Sequence, residues 1–391
     1  MEKIQLFCAT YDEEECLKQI KDCLDIGWTG AGYKTVEFEE AWKNYTGLGH
    51  AFFTNSATAG LNLAVDTLKE LNNWNDDDEI ISTPLTFVST NHAILQAGMH
   101  VVFADVDDTL CLNPIDVEKK ITDKTKAVMY VGFGGNAGHY EDIVRLCRKY
   151  DLKLILDAAH MAGTRVNGVV PGSEADAVIY SFQAVKNLPT GDAGMLCMKD
   201  ENGDKIARER AWLGINKDTY SRSVNKDGNY KWKYNVEYVG NKYGGNAIMA
   251  AIALAQLPRL DKDNAYRRTL AGWYLNGLSG NDEYIGFVKV PENCQTSQHL
   301  FQIIVPDRDG LLNYLNTKNI YPGVHYIPNT EYSMYSYAKG TCHYAEYIGE
   351  HILSLPMHMR ITYEDVQYIV EQIKDYVLEK NHDIKLDNYE G

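Results

Sequence analysis

The chain has 391 residues, 45% of them apolar and 24% charged, so it can form a substantial core in one large or two ordinary domains. Its net charge of −16 argues against general binding to nucleic acids or anionic membranes, because that binding depends on clustered Lys and Arg. No stretch reaches the roughly 18 apolar residues of a membrane span, and the N-terminal sequence has no apolar signal region. We expect a cytoplasmic protein with reduced cysteines, no metal site, and small molecules or proteins as partners.

Seven short apolar runs, rich in β-branched and aromatic residues, predict buried strands. They lie at residues 50–54, 79–83, 101–106, 127–133, 152–157, 177–182 and 194–198. Apolar residues at helical spacing separate several of these runs, as at Leu61, Ala64, Val65 and Leu68. Because strands and helices alternate, we expect an α/β fold with a mostly parallel seven-stranded sheet covered by helices on both faces.

A long polar and aromatic segment interrupts this alternation after residue 205. Its part at about 215–240 is too long for an ordinary connection, and such loops are usually functional or mobile. An apolar helix follows, and beyond it a smaller region combines helical patterns with the strand-like run "HLFQIIV". We therefore predict a large ligand-binding domain at 1–255 and a small α+β domain at 256–391.

Chemically useful residues follow three of the predicted strands. Asp157 ends one strand, Lys186 lies just beyond the next, and the small-residue turn "NSATAG" follows the first. In a sheet of this kind ligands collect at the carboxyl ends of the strands, and a helix N-terminus offers free N–H groups to a phosphate. Each feature alone is ordinary, as a solvated lysine, a turn-forming aspartate or a helix cap. The indication of a site therefore comes from their combination.

Together these residues meet the needs of pyridoxal 5′-phosphate (PLP), an aldehyde with a pyridine ring and a phosphate arm. PLP enzymes hold the aldehyde with a lysine and pair the ring nitrogen with an aspartate. Phe87, in "STPLTFVST", could supply a flat apolar surface for the ring, although such a phenylalanine is more often part of a core. The sequence therefore predicts a PLP site around Lys186 and Asp157.

Six segments of the chain carry a resemblance to a known family. They are "GWTGAGYKTVEFEEAWKNYTG", "TNSATAGLNLAV", "PLTFVSTNHAILQAGMHVVFADVD", "GNAGHYEDIVRLCRKYDLKLILDAAHMAGT", "SFQAVKNLPTGDAGM" and "ILSLPMHMRITYEDVQYIV". Through them, residues 20–375 resemble the DegT/StrS family of PLP-dependent nucleotide-sugar aminotransferases. That family has the aspartate aminotransferase fold, also called fold type I.

The resemblance implies a role for each matching residue. Lys186 would bind the cofactor covalently and shuttle protons, and Asp157 would pair with the ring nitrogen. Phe87 would stack on the ring, and His160 would approach its phenolic oxygen. The phosphate would be held by Ala57, Thr58 and Ser181, and by Asn241 from the partner subunit of a homodimer with shared active sites.

Several positions differ from the family pattern, and they concern substrate contacts more than the cofactor. The family sequence E-G-G is Asp192, Ala193 and Gly194 here, and the phosphate-turn glycine of the family is Ala57. Lys242 and the residue after it replace the Y-R that follows the partner asparagine. The segment usually rich in H-x-x-G-Q-P is "VGFGGNAGHY", which lacks a histidine and a glutamine.

These observations lead us to expect an aminotransferase that converts a nucleotide-linked keto sugar to an amino sugar, as used in lipopolysaccharide O-antigens. The family implies L-glutamate as the amino donor, and a 4-keto-6-deoxyhexose is the simplest acceptor. The alternatives are amination of a 3-keto or non-activated sugar, a PLP-dependent sugar 3-dehydratase, and a non-catalytic sensor. Lys186 disfavours the dehydratase, because dehydratases of this family carry a histidine there, and Lys186 with Asp157 disfavours the sensor.

The acceptor is inferred from the side chains expected around the site. The segments at the strand ends contain no Arg to clamp a dicarboxylic oxo acid, and hydroxyl and amide groups suit a sugar. Each aromatic residue among the candidates is individually unremarkable in a chain with 27 tyrosines. The candidate substrate-binding residues are Trp28, Thr29, Tyr33, Lys217, Arg222, His325 and Tyr326.

Overall fold

The fold is described from a computed structural model, and the description covers residues 3–216, 234–380 and 385–386. The strands in these ranges fall into one large sheet and three small ones. They are β1 (Ile4–Gln5), β2 (Phe52–Thr54), β3 (Glu79–Ser82), β4 (His100–Phe103), β5 (Thr125–Val131), β6 (Lys153–Asp157), β7 (Arg165–Val166), β8 (Ala177–Ser181), β9 (Gly194–Met198), β10 (Gly286–Phe287), β11 (Cys294–Gln295), β12 (Phe301–Ile304), β13 (Ile320–Tyr321) and β14 (Ile352–Leu355).

The α-helices of the same ranges are α1 (Glu13–Ile26), α2 (Tyr33–Thr46), α3 (Ala57–Asn72), α4 (Ser89–Gln96), α5 (Pro114–Lys120), α6 (Tyr140–Lys149), α7 (Glu201–Arg210), α8 (Ala247–Gln256), α9 (Leu260–Leu278), α10 (Arg308–Thr317), α11 (His343–His351) and α12 (Tyr363–Lys374). Local sequence signals set several helix ends. Thr362 and Asp365 form a capping box at the start of α12, and Gly27, with φ of 73°, ends α1 in the left-handed region. Within the described ranges, none of the helices combines the length and apolar character that crossing a bilayer requires.

Seven strands form the central sheet in the order β2-β9-β8-β6-β5-β3-β4. Strand β9 is antiparallel to its neighbours β2 and β8, and the remaining pairs are parallel. Each strand coincides with one of the predicted apolar runs, so the prediction of a mostly parallel seven-stranded sheet is confirmed. Every residue of β8 and β9 is buried, which is why their sequences are apolar without alternation.

The register of the central sheet brings the ends of neighbouring strands together. Gly194 lies opposite both Thr54 on β2 and Ser181 on β8. Asp157, the last residue of β6, lies opposite Ile179 on β8. Asp157 and Ser181 therefore end adjacent parallel strands at the same edge of the sheet, where ligands of such folds collect.

The residues that follow α8 form a smaller region with its own core. Strands β10, β12 and β14 make an antiparallel sheet, and the core beside it includes Tyr274, Phe301 and Val366. Strand β1 pairs with β13, and Ile4 is buried in this core, although the prediction assigned residues 1–255 to the large domain. The domain boundary near residue 255 stays a prediction, with the N-terminal strand packing against the smaller region.

Candidate active site

An open cavity of about 540 Å³ lies at the carboxyl ends of β6 and β8. Its wall combines the loops that follow strands of the central sheet with residues of the smaller region. Most of the residues predicted from the sequence line it, namely Ala57, Thr58, Phe87, Asp157, His160, Ser181, Lys186, His325 and Tyr326. The fold therefore brings the predicted amine, carboxylate, phosphate turn and aromatic surface to one place.

Lys186 lies in the loop after β8. Its backbone N–H donates to the carbonyl of Gln183 at 2.8 Å, which closes a tight turn at the base of the side chain. Burial lowers the pKa of the Lys186 ammonium to about 8, against the opposing effect of the Asp157 charge. Near that pH about half of the Lys186 side chains are neutral amines, the form that attacks an aldehyde and accepts a proton.

Asp157 is only 4% exposed, and both of its carboxylate oxygens accept hydrogen bonds. The hydroxyl of Thr90 donates to Oδ2 at 2.7 Å, and the backbone N–H of Ala159 donates to Oδ1 at 3.1 Å. Burial raises the pKa of Asp157 above its usual value, while these two bonds and the charge of Lys186 act in the opposite direction. A buried carboxylate held in this way is suited to a cationic partner, such as a protonated ring nitrogen.

The N-terminus of α3 is the part of the cavity wall whose backbone N–H groups are suited to an anion. Ser56 caps the helix by accepting a hydrogen bond from the N–H of Ala59 at 3.1 Å. Ala57 and Thr58 line the cavity in the first turn, where backbone N–H groups have no partner within the helix. A Cβ on Gly194 would lie 2.6 Å from the backbone nitrogen of Ala57, so only glycine lets β9 approach this turn.

His160 presents an N–H group at the cavity wall. Its Nδ1 accepts a hydrogen bond from the backbone N–H of Gly134 at 3.2 Å, so the ring proton is on Nε2. Nε2 lies 3.3 Å from the hydroxyl of Tyr326. Burial, with a smaller effect of the Lys186 charge, lowers the pKa of His160 well below its usual value. His160 is therefore a neutral hydrogen-bond donor, as an interaction with a phenolic oxygen requires.

Phe87 and Tyr326 supply aromatic surface. Phe87 is 57% exposed, although it is a large apolar side chain, and its ring centroid lies 6.2 Å from that of Tyr326. His325 precedes Tyr326, and its Nδ1 lies 3.0 Å from the hydroxyl of Ser354. An aromatic side chain left open to a cavity is typical of a ligand-binding surface.

The other predicted residues that the structure describes, Trp28, Thr29, Tyr33 and Asn241, do not line this cavity. Trp28 donates its indole N–H to the carbonyl of Ala31 at 2.8 Å, and the carbonyl of Thr29 accepts from α8. Tyr33 packs beside α8 as well, so all three lie apart from the cavity of their own chain. Asn241 is exposed. Lys217, Arg222 and most of the predicted loop at about 215–240 lie outside the described residues.

Sequence reasoning did not select Thr90 and His299, which also line the cavity. Thr90 had a local signal, because it follows Phe87 by three residues in the same segment. His299 had none, because it comes from the smaller region and reaches the cavity only through the tertiary fold.

The residues present fit PLP. A lysine with a lowered pKa, a buried carboxylate, a helix N-terminus and an exposed aromatic ring share one cavity. These groups correspond to the aldehyde, the ring nitrogen, the phosphate and the ring face of that cofactor. The cavity therefore has the groups that a PLP-dependent enzyme requires.

The sequence of the chain is similar to those of known aminotransferases. The DegT/DnrJ/EryC1/StrS aminotransferase family model matches residues 10–374. The spore coat polysaccharide biosynthesis protein SpsC of Bacillus subtilis is 32% identical over 379 residues, which cover 93% of this chain and 95% of SpsC.

Two solved structures are similar over almost their whole length. Helicobacter pylori PseC, an aminotransferase involved in the biosynthesis of pseudoaminic acid, has a TM-score of 0.88 at 25% identity, covering 97% of this chain and 100% of PseC. The putative sugar aminotransferase Spr1654 from Streptococcus pneumoniae, in its PMP form, has a TM-score of 0.86 at 25% identity, covering 95% of this chain and 99% of Spr1654.

The fold and the cavity thus define a PLP-dependent aminotransferase of fold type I. The chain belongs to the DegT/DnrJ/EryC1/StrS aminotransferase family, and it is a sugar aminotransferase.

Proposed function

We propose that this enzyme aminates a nucleotide-linked 4-keto-6-deoxyhexose with L-glutamate as the amino donor. The observation that carries the proposal is the presence of Lys186 and Asp157 in one cavity without an arginine in its described wall. The product would be an amino sugar for a surface polysaccharide, and the proposed location is the cytoplasm. The proposed use of the product in a polysaccharide is supported by the similarity to SpsC, whose name refers to spore coat polysaccharide biosynthesis.

The cofactor is held by the groups already described. When bound, PLP supplies an aldehyde that links to amines and a ring that takes up the electron pair released by loss of a proton. Lys186 is the residue proposed to bind the aldehyde, and Ala57, Thr58 and Ser181 are proposed to hold the phosphate. Phe87 is proposed to lie against the ring.

Lys186 is also the proposed proton carrier. Its neutral amine removes the proton from the α-carbon of the amino donor, and the resulting ammonium returns a proton in the same half-reaction. In the second half-reaction Lys186 again acts first as a base, taking up the proton that it had returned, and the resulting ammonium then delivers a proton to the sugar carbon that receives nitrogen. The lowered pKa of Lys186, about 8, keeps both forms accessible near neutral pH.

Asp157 and His160 prepare the ring for this proton transfer. The Asp157 carboxylate holds a proton on the ring nitrogen, and Thr90 and Ala159 keep that carboxylate in place. The neutral His160 donates from Nε2 toward the phenolic oxygen of the ring, since Gly134 fixes the tautomer. Both groups favour withdrawal of negative charge into the ring.

The choice of a keto sugar as the amino acceptor is based on the polar groups that line the cavity. Enzymes that accept dicarboxylic oxo acids hold the distal carboxylate with arginine, a planar bidentate donor. Among the described residues that line the cavity, Lys186 is the one Lys or Arg. Hydroxyl, amide and imidazole groups, contributed by Thr86, Gln183, His325 and Tyr326, suit sugar hydroxyls instead.

Shared active sites in a homodimer form part of the proposal. Asn241 is exposed and lies outside the cavity of its own chain, which is consistent with a contribution to the partner's phosphate site. Trp28, Thr29 and Tyr33, predicted as substrate contacts, also lie outside the cavity of their own chain. We propose that they contact substrate in the active site of the partner subunit. Lys217 and Arg222 remain proposed substrate contacts on sequence grounds.

A substrate panel tests the proposal. UDP-, dTDP- and GDP-linked 3-keto and 4-keto sugars are each incubated with enzyme and L-glutamate, and the amine is detected by mass spectrometry. Amination of a nucleotide-linked 4-keto sugar is expected. Amination of 3-keto sugars alone would overturn the regiochemistry, and amination of free sugars alone would overturn the requirement for a nucleotide. Loss of a hydroxyl without amination would indicate a 3-dehydratase.

A further inference from the structure

His299 reaches the cavity from the loop between β11 and β12. It is 1% exposed, and its ring centroid lies 4.4 Å from that of His160. Phe7 stacks on the same ring at 5.6 Å with an interplanar angle of 6°. Such close packing fixes the orientation of the imidazole, and the roles proposed above do not use it.

Asn187, the residue after Lys186, determines which nitrogen of His299 carries the proton. Its side-chain nitrogen donates to the carbonyl of Ser297 at 2.8 Å and to Oδ1 of Asn264 at 2.7 Å. A carbonyl only accepts, so the amide oxygen of Asn187 must be the atom that lies 2.9 Å from Nδ1 of His299. His299 therefore donates from Nδ1 and keeps a lone pair on Nε2.

His160 and His299 thus have opposite tautomers. His160 carries its proton on Nε2, because Gly134 donates to its Nδ1. Burial lowers the pKa of His299 well below its usual value, so its Nε2 remains a neutral acceptor. The two adjacent rings therefore offer one donor and one acceptor at the cavity wall.

The lone pair on Nε2 of His299 can accept a hydrogen bond from a donor in the cavity. Lys186 is the one Lys or Arg among the described residues of the cavity wall, and its charge contributes to the lowered pKa of His299. The chain neighbour of Lys186 is the residue that holds His299. A lysine side chain has donors only, so it matches an imidazole lone pair.

We propose that His299 is a positioning residue for Lys186, whose free amine donates a hydrogen bond to Nε2 while Asn187 keeps His299 in the accepting tautomer. This inference rests on the role proposed for Lys186. The contact would hold the lysine within the cavity during the part of the cycle in which it is not attached to the cofactor. It would also stabilise the ammonium that carries the transferred proton.

The test measures the protonation of Lys186 directly. The full chain is loaded with PMP, so that the lysine amine is free, and is labelled briefly with acetic anhydride at a series of pH values. Peptide mass spectrometry gives the pH midpoint of Lys186 acetylation. The other titratable groups of the described cavity wall are the same in every variant compared, namely Asp157, His160, Asp192, His325 and Tyr326.

Two substitutions of His299 separate an effect of Nε2 from an effect of Nδ1. His299→Asn can place an amide N–H at the position of Nδ1 but is too short to place an acceptor at the position of Nε2. His299→Gln can place an amide oxygen near the position of Nε2 and leaves no donor at the position of Nδ1. We expect His299→Asn to lower the midpoint by about one pH unit, because the ammonium loses a hydrogen bond to its charged form. His299→Gln should leave the midpoint within a few tenths of a unit of the wild type.

An unchanged midpoint in folded His299→Asn, or a shift in His299→Gln alone, would overturn the proposal. His299→Phe keeps the stacking on Phe7, and it provides the same test if the asparagine variant does not fold. Borohydride reduction of the PLP-loaded enzyme keeps the two hypotheses apart. Attachment to a different lysine would defeat the proposed role of Lys186, whereas attachment to Lys186 with an unmoved midpoint would defeat only the role of His299.

Discussion

The hydroxyl of Thr90 donates a hydrogen bond to Oδ2 of Asp157 at 2.7 Å, although Thr90 lies in α4, after β3, and Asp157 is the last residue of β6. The hydroxyls of Thr86 and Thr90 lie 3.0 Å apart, and because Thr90 donates to Asp157, Thr86 is the donor to Thr90. The segment that carries Phe87 is thereby tied to the buried carboxylate. One short run of hydroxyls therefore connects Phe87, proposed to lie against the ring, with Asp157, proposed to pair with the ring nitrogen.

Thr90→Val should reduce kcat/KM about tenfold, because the carboxylate of Asp157 loses a hydrogen bond in a buried site. That bond lowers the pKa of Asp157, so its loss raises the pKa further. Activity that requires the carboxylate should therefore begin to fall at a higher pH than in the wild type. Thr90→Ser is the matched control and should retain most of the activity. An unchanged acid limb of the pH–rate profile would contradict this role for Thr90.

Asp157→Asn should retain the fold and bind PLP, but it should lose activity by about 100-fold or more. A neutral amide cannot hold a proton on the ring nitrogen, so the ring becomes a weaker electron sink. Steady-state kinetics measure the loss, and circular dichroism checks the fold. Turnover close to wild type in a folded variant would mean that another residue pairs with the ring nitrogen.

Gly194→Ala should weaken PLP binding by about tenfold or more. Inserting an extra carbon atom into a closely packed site costs a free energy of about 1–3 kcal/mol. The added Cβ would lie 2.6 Å from the nitrogen of Ala57 and 2.7 Å from the carbonyl carbon of Ser56, which displaces the phosphate turn. Gly244→Ala is the control, since its Cβ would meet only Phe52 Cζ at 3.8 Å. Cofactor titration followed by absorbance compares the two. Equal affinities would show that this turn does not hold the phosphate.

Two inactive variants should complement each other if the active sites are shared. Lys186→Ala lacks the lysine proposed to bind the cofactor, and Asn241→Ala lacks the residue proposed to act in the partner subunit. Mixing them with reversible dissociation should form hybrids in which one site has both residues, so partial activity should return. Light scattering establishes the oligomeric state. An active monomer, or mixed dimers that remain inactive, would argue against this arrangement.

Most of the large sheet could be predicted because most residues of its strands are apolar and buried. In β6, residues 154–157 are all buried, so sequence pattern and structure coincide there. Strand β1 could not be found in this way, since two residues carry no pattern and Ile4 becomes a strand residue only by pairing with Ile320. The same reason explains why its packing against the smaller region was not foreseen.

The candidate site was predictable where its residues follow strands. Asp157 and Lys186 stand out because the carboxyl ends of parallel strands converge, which the order of elements already implies. The presence of His299 at the cavity was not predictable, because it comes from the smaller region of the chain. Its tautomer was not predictable either, because it depends on Asn187, which is distant in sequence. Trp28 was predicted as a substrate contact, and in the single chain it does not line the cavity.

The roles proposed for this site depend on covalent attachment of PLP to Lys186. Reduction of the purified, PLP-loaded enzyme with borohydride, followed by digestion and peptide mass spectrometry, tests it most directly. We expect a single pyridoxyl group on Lys186 and none in Lys186→Ala. Recovery of the pyridoxyl group on a different lysine of the wild-type enzyme would contradict it.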